Sequence, residues 1–213
     1  MILEEFTVGP LQVCAYIIGC EDTGNAIIID PAGSEEMLAN RINGLGLKLQ
    51  AIVNTHGHPD HTCGNKRMKE LTGAPVLMHK SDDELFRRPD IVAMFLAWGF
   101  EAAPPADGYL SDGQILKVGN LDFEIIHTPG HSPGSVCIYG QGYLVTGDTL
   151  FIDAIGRTDL PGGNYETLME SLKNKIIPLP DSTVILPGHD YGPKPKDTLK
   201  NQKRTNPYLA QLL

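Results

Sequence analysis

Thr55-His56-Gly57-His58-Pro59-Asp60-His61 is the stretch from which the rest of the chain is read. Four groups able to bind a metal, His56, His58, Asp60 and His61, fall within six residues, and no lysine or arginine stands among them to pair with the carboxylate. Imidazole with carboxylate is a donor set that suits zinc, iron or manganese. A helix would place His58 and His61 on one face, but Gly57 and Pro59 argue against regular structure. The expectation is a polar loop that leaves a buried strand end and folds several side chains toward one point, and function concentrates on such loops.

Outward from this loop, Leu49 to Asn54 reads as the strand that delivers it. Upstream, Val13 to Ile18 and Ala26 to Ile29 are apolar runs separated by a turn at Glu21 to Asn25, which predicts paired strands, the second ending at Asp30-Pro31. Ser34 followed by Glu35 and Glu36 is a candidate cap for a helix reaching about Ile42, with Asn43-Gly44 as its stop. Downstream, a helix is expected over Asn65 to Leu71, a strand over Val76 to His79, and helical pieces from Ser81 to Trp98 interrupted at Arg88-Pro89.

Beyond Pro104-Pro105 a second meander appears: strands at Gln114 to Val118, Leu121 to His127, Ser135 to Tyr139 and Tyr143 to Thr146. A helix over Tyr165 to Lys175, a strand over Thr183 to Leu186 and a last helix near Thr198 to Arg204 complete the pattern. Two sheets, each with one helical layer, would pack as helix, sheet, sheet, helix. Three further candidate ligands stand at strand ends in glycine-rich turns: His131 in Thr128-Pro129-Gly130-His131-Ser132-Pro133-Gly134, Asp148 in Thr146-Gly147-Asp148-Thr149, and His189 in Pro187-Gly188-His189-Asp190. Glycine beside a polar residue at a strand end lets the backbone approach a ligand closely.

The 213 residues, 41% hydrophobic and 20% charged, suffice for one domain, 1–213, with one good core. A net charge of -9, with the acids spread along the chain, gives no electrostatic footprint for nucleic acid or an anionic membrane. A small-molecule substrate and a monomer or homodimer are expected. The four cysteines, Cys14, Cys20, Cys63 and Cys137, form no CxxC pair, and the first ten residues resemble no targeting segment, so cytoplasm is the expected location.

The ordered set of HxHxDH, TPGHSPG, TGD and PGH motifs resembles the metallo-β-lactamase superfamily, and within it the short glyoxalase II-like branch, over nearly the whole chain from about Val13. That resemblance implies the four-layer αββα fold and two divalent metal ions, zinc first, with iron or manganese as alternatives. It places His56, His58 and His131 on one metal, Asp60, His61 and His189 on the other, and Asp148 between both. A metal-bridging hydroxide is the implied nucleophile, with Asp60 and Asp148 as its catalytic carboxylates, and the implied substrate is an acyl thioester such as S-lactoylglutathione. His79, His127 and Cys63 match no ligand position and are expected to be structural, with His127 a candidate support for His131.

The resemblance also implies substrate contacts. Arg157 stands where glyoxalase II carries a lysine for the glutathione glycine carboxylate, although it could instead pair with Asp153 or Asp159. Tyr191 matches a tyrosine that contacts the glutathione backbone, or else packs its loop. The C-terminal helical domain of glyoxalase II has no counterpart in this sequence, and Lys194, Lys196, Lys200, Lys203 and Arg204 are the candidate substitutes for its basic residues. A second class, mononuclear-iron persulfide dioxygenase, shares the Gly156-Arg157-Thr158-Asp159, His189-Asp190-Tyr191 and Lys203 to Pro207 stretches; a lactone or other ester hydrolase is third. A β-lactamase proper is expected to carry an export signal, and many have cysteine where Asp148 stands.

Overall fold

The computed structural model describes residues 1–213 and forms two six-stranded sheets packed face to face. The first sheet contains β1 (Ile2–Val8), β2 (Val13–Cys20), β3 (Asn25–Ile29), β4 (Lys48–Val53), β5 (Val76–His79) and β6 (Gly108–Leu110) in that spatial order. β1 to β3 pair antiparallel, and β3 to β6 run parallel through helical crossovers. Those crossovers carry α1 (Glu35–Gly44), α2 (Pro59–Thr62), α3 (Asn65–Thr72), α4 (Lys80–Phe86) and α5 (Pro89–Ala97).

The second sheet is built from β7 (Ile115–Val118), β8 (Leu121–His127), β9 (Val136–Gly140) and β10 (Tyr143–Gly147). A hairpin of β11 (Leu150–Phe151) and β12 (Ala154–Ile155) leads to α6 (Tyr165–Ser171), which widens into a π-turn over Leu172–Ile176. Then come β13 (Val184–Pro187), β14 (Asp197–Thr198), α7 (Leu199–Thr205) and α8 (Pro207–Ala210). Spatially the order is β14-β13-β10-β9-β8-β7, with β13 parallel to β10.

Alternation along the strands explains the layering. In β2, Cys14, Tyr16 and Ile18 face the second sheet, while Ala15 and Ile17 face Leu38, Ile42 and Met68 of α1 and α3. Both faces are therefore buried, which is why the strand reads as a continuous apolar run. Phe123, Ile125, Val136, Ile138 and Val145 fill the inter-sheet layer from the other side. Ile126, Cys137, Leu144 and Ile185 face outward against Leu168, Leu172 and Leu199. Three buried layers separate four structural ones, as the resemblance implied.

Several local expectations are corrected. β1 was not foreseen; its half-exposed edge position tolerates Glu4 and Glu5, which mask the strand pattern. Ser34 stands at the N-cap of α1 as expected, but at φ 56° its side chain makes no capping bond and only its carbonyl accepts, from Leu38 N. Pro59 does not prevent regular structure but begins it: it stands at the first turn of α2, where its missing N–H would have had no helical partner. No helix is long and apolar enough to cross a membrane.

Candidate metal centre

All seven predicted ligands converge at one end of the inter-sheet layer. β4 delivers Asn54 and Thr55, and the following loop and α2 carry His56, His58, Asp60 and His61. The β8–β9 turn brings His131, the end of β10 brings Asp148 after Gly147 at φ 48°, and the end of β13 brings His189. A β-bridge between Val13 and His189 ties this last turn to the first sheet.

Facing atoms sort into two sets. His58 Nδ1 lies 2.9 Å from His131 Nε2, which is 3.3 Å from His56 Nε2. Opposite them, His61 Nε2 lies 3.2 Å from His189 Nε2, and Asp60 Oδ2 is 3.5 Å from His189 Nε2 and 3.7 Å from His61 Nε2. Asp148 stands between: Oδ1 is 3.3 Å from His61 Nε2, and Oδ2 is 3.7 Å from both His131 Nε2 and His189 Nε2. Ligands arranged tetrahedrally at about 2.0–2.1 Å from a zinc ion are roughly 3.4 Å apart, so both sets have the spacing of a shared-cation shell.

The outer nitrogens are held so that lone pairs face inward. His61 Nδ1 donates to Asp30 Oδ2 at 2.9 Å, His131 Nδ1 to the Arg157 carbonyl at 2.7 Å, and His189 Nδ1 to the Leu11 carbonyl at 3.1 Å. His56 Nδ1 donates to Thr55 Oγ1 at 3.1 Å, and that hydroxyl donates to Asp30 Oδ2 at 2.6 Å. Such acceptors fix the imidazole tautomer and orientation. His58 is inverted: Nδ1 faces the cluster and Nε2 is buried without a hydrogen bond, while the ring packs edge-to-face with Phe86 at 4.9 Å.

Burial is the largest single influence on the titration of His56, His58 and His61. It pushes His58 down to about 3 and His56 well below its usual value, with neighbouring histidines adding to the effect. Burial acts the same way on His61, but Asp148, Asp60 and Asp30 together raise it well above normal. For Asp148, burial acts upward, yet His61, His131 and His189 hold the carboxyl well below the ordinary range. Its Oδ1 is nevertheless buried with no hydrogen-bond partner. An ionised carboxylate packed among imidazole nitrogens, with one oxygen lacking a hydrogen bond, is costly in a protein alone and well suited to divalent cations.

Two buried acids that the motifs did not single out organise the centre. Asp30 accepts from Thr55 N at 2.8 Å as well as from the Thr55 hydroxyl and His61, so it braces one histidine of each set. Asp30, His56 and His61 are themselves close enough to hold an ion, but the carboxylate is already engaged by these donors. Asp82, in α4, accepts from Gly57 N at 2.7 Å, Ser132 Oγ at 2.7 Å and Gly134 N at 2.5 Å, lashing the His56–His58 loop to the His131 turn. Position at the end of an apolar strand was the one available signal for Asp30; nothing marks Asp82.

The remaining candidates lie outside the cluster. His79 and His127 stack with centroids 4.1 Å apart; His79 Nδ1 caps α4 by accepting from Ser81 N, and His127 Nε2 donates to the Pro133 carbonyl, supporting the turn that carries His131. Cys63 directs its thiol to the Ala32 and Asp60 carbonyls. Arg157 and Tyr191 both line the cleft above the centre, with Leu11, Phe95, Trp98 and Phe151 among their neighbours. The Arg157 guanidinium pairs bidentately with Asp159, both bonds 2.7 Å, and Tyr191 stacks on His189 at 4.6 Å. Lys194 pairs with Asp197 and Lys203 with Asp181.

A two-sheet αββα sandwich with a histidine–aspartate centre at its sheet ends defines a class of metal-dependent protein. The model for the metallo-beta-lactamase superfamily matches residues 8–189, and the chain belongs to that superfamily. It is 38% identical to the hydroxyacylglutathione hydrolase GloC of Haemophilus influenzae, over 93% of this chain and 92% of that one. Among solved structures, the BLEG-1 B3 metallo-beta-lactamase is 35% identical with a TM-score of 0.87, covering 98% of this chain and 99% of its own. TTHA1623 in a di-iron-bound form is 34% identical with a TM-score of 0.84, covering 97% and 100%. ETHE1 from Myxococcus xanthus is 29% identical with a TM-score of 0.84, covering 99% and 85%.

Proposed function

We propose that the protein is a binuclear metal-dependent hydrolase of acyl thioesters, of the hydroxyacylglutathione hydrolase type. The observation that carries this reading is the division of six donors into two sets of three with the Asp148 carboxylate between them. His56, His58 and His131 would hold one divalent ion, and Asp60, His61 and His189 the other. Two such ions lower the pKa of a bound water from about 15.7 to about 7 and polarise a carbonyl.

The chain's own residues define the rest. Asp148 and Asp60 would offset part of the positive charge of bound cations. Asp30, through His61 and through Thr55 to His56, holds the imidazoles in the ligating tautomer. Arg157 and Tyr191 line the cleft and would touch the substrate. In the overall reaction water adds to the acyl carbon, the C–S bond breaks, and the products are a carboxylate and a thiol. A thiolate is a good leaving group, so no dedicated general acid is needed, in keeping with a cleft whose ionisable side chains are, apart from Arg157 and Tyr191, the centre's own.

The test begins with metal analysis of protein purified without added metal or chelator, followed by thioester assays. Two equivalents of zinc, iron or manganese per chain and metal-dependent cleavage of S-lactoylglutathione or another acyl thioester are expected. A single iron, with oxygen uptake on glutathione persulfide, would instead favour the persulfide dioxygenase reading, which the likeness to ETHE1 supports. Lactones and a β-lactam serve as competing substrates, the latter because of the likeness to BLEG-1.

A further inference from the structure

The cleft over the metal centre encloses about 380 Å³, within the ordinary range for small-ligand sites of about 300–1,000 Å³. One wall is aromatic: Phe95 meets Trp98 edge-on at 5.3 Å, and Phe100 continues the surface. The lining also includes Leu11, Ile155 and the Phe151–Tyr191 pair, whose ring centroids are 5.5 Å apart. Trp98, Leu11 and Tyr191 stay 55%, 48% and 65% exposed, so three large side chains leave apolar surface in water around one opening. An apolar rim around a functional cleft marks a surface that a ligand covers.

Charge recognition in the same cleft is weak. Apart from the histidines its only cationic residue is Arg157, whose Nε and Nη2 are engaged bidentately by Asp159. None of the C-terminal lysines lines the cleft, and Lys194 and Lys203 are paired elsewhere. Outside the metal centre, a carrier with free carboxylates finds only a guanidinium that is already paired with Asp159.

We infer that, given the thioesterase reading above, the preferred substrates are thioesters bearing an extended apolar group, held by the Phe95–Trp98–Phe100 wall and by Leu11, Phe151 and Ile155. Specificity comes from apolar contact and not from the carboxylates of a peptide thiol. Trp98 is the sole tryptophan of the chain, so its fluorescence reports entry into the cleft without requiring turnover.

The experiment titrates two non-hydrolysable thioethers into the purified, metal-containing protein: the octyl thioether of N-acetylcysteamine and S-methylglutathione. The octyl probe is expected to shift Trp98 emission to the blue and saturate with a dissociation constant at least tenfold below that of S-methylglutathione. Leu11→Asp, which alters an exposed rim side chain, is expected to weaken the octyl probe at least fivefold without weakening S-methylglutathione. Equal or tighter binding of S-methylglutathione, or no saturable response to the octyl probe, overturns the inference even if thioesters are cleaved. Octyl binding without cleavage of any thioester would leave the apolar specificity standing and overturn only the proposed reaction.

Discussion

Replacing Asp30 by asparagine changes one oxygen to an amide nitrogen and removes one charge, without disturbing the backbone, since asparagine tolerates the φ of 49° found there as well as aspartate does. In the native protein Oδ1 accepts from Thr55 N, and Oδ2 accepts from both the Thr55 hydroxyl and His61 Nδ1. An amide at the Oδ2 position presents a donor to the His61 Nδ1–H. Relief requires His61 to move its proton to Nε2, the atom that faces His189 and Asp148, and a protonated nitrogen has no lone pair for a metal. Flipping the amide only transfers the conflict to the Thr55 N–H.

Loss of one charge-assisted bond to a ligand costs about 1.5–3 kcal/mol, in line with the 10- to 100-fold loss of affinity, about 1.4–2.7 kcal/mol, typical of outer-shell substitutions. The Asp60–His61–His189 set should weaken by that factor, and the His56–His58–His131 set less, because Thr55 intervenes. Competition between the metal-stripped variant and a chromophoric chelator measures both constants. Two dissociation constants within twofold of the native values would refute the bracing role of Asp30.

Three other substitutions probe the same architecture. Asp148→Ala should lower metal-dependent turnover by at least about 10²–10³-fold while far-UV circular dichroism and cooperative unfolding persist; full activity would remove Asp148 from between the two sets. In Gly188→Ala, the added Cβ would intrude on the Asp148 carboxylate and lie 3.0 Å from His61 Cε1, so elemental analysis should find fewer than two equivalents of metal; native stoichiometry and affinity would contradict this. Tyr16→Phe leaves the buried Pro187 carbonyl without its 2.7 Å hydroxyl partner, which should cost about 1–3 kcal/mol and lower Tm by about 2–12 °C. An unchanged calorimetric Tm would mean that this bond contributes nothing net.

Legibility in the sequence followed the range of the interactions. Strands such as β2 and β3, buried on both faces, stand out because nearly every position is apolar, and the β7 to β10 meander because glycine turns separate its runs. β1 was hidden because an edge strand can carry acids on its open side. The side chains that the structure gathers at the centre stood out because metal chemistry demands particular residue types, here beside glycines at strand ends. Asp30 and Asp82 did not: their partners lie at Thr55 and His61, and at Gly57, Ser132 and Gly134, and sequence spacing does not express those contacts. Arg157 shows a related limit, since a residue of the right type in a suggestive stretch spends its hydrogen bonds on Asp159, two positions away.

Neither half of the fold contains a complete centre. The first sheet and its loop supply His56, His58, Asp60 and His61, and the second supplies His131, Asp148 and His189, so each set of three spans the inter-sheet junction. Short polar bonds cross that junction beside the centre: the Tyr16 hydroxyl to the Pro187 carbonyl, Cys14 N to Gly188 O at 2.8 Å, and Val136 N to Thr55 O at 2.8 Å. Behind them lies the shared layer of Tyr16, Ile27, Phe123 and Ile138. Packing of the two sheets therefore sets the separation of the ligands, and ions bound across the junction would favour the docked arrangement by linkage. Core substitutions in this layer should register in metal affinity as well as in Tm, because the sheet interface and the coordination geometry are one set of distances.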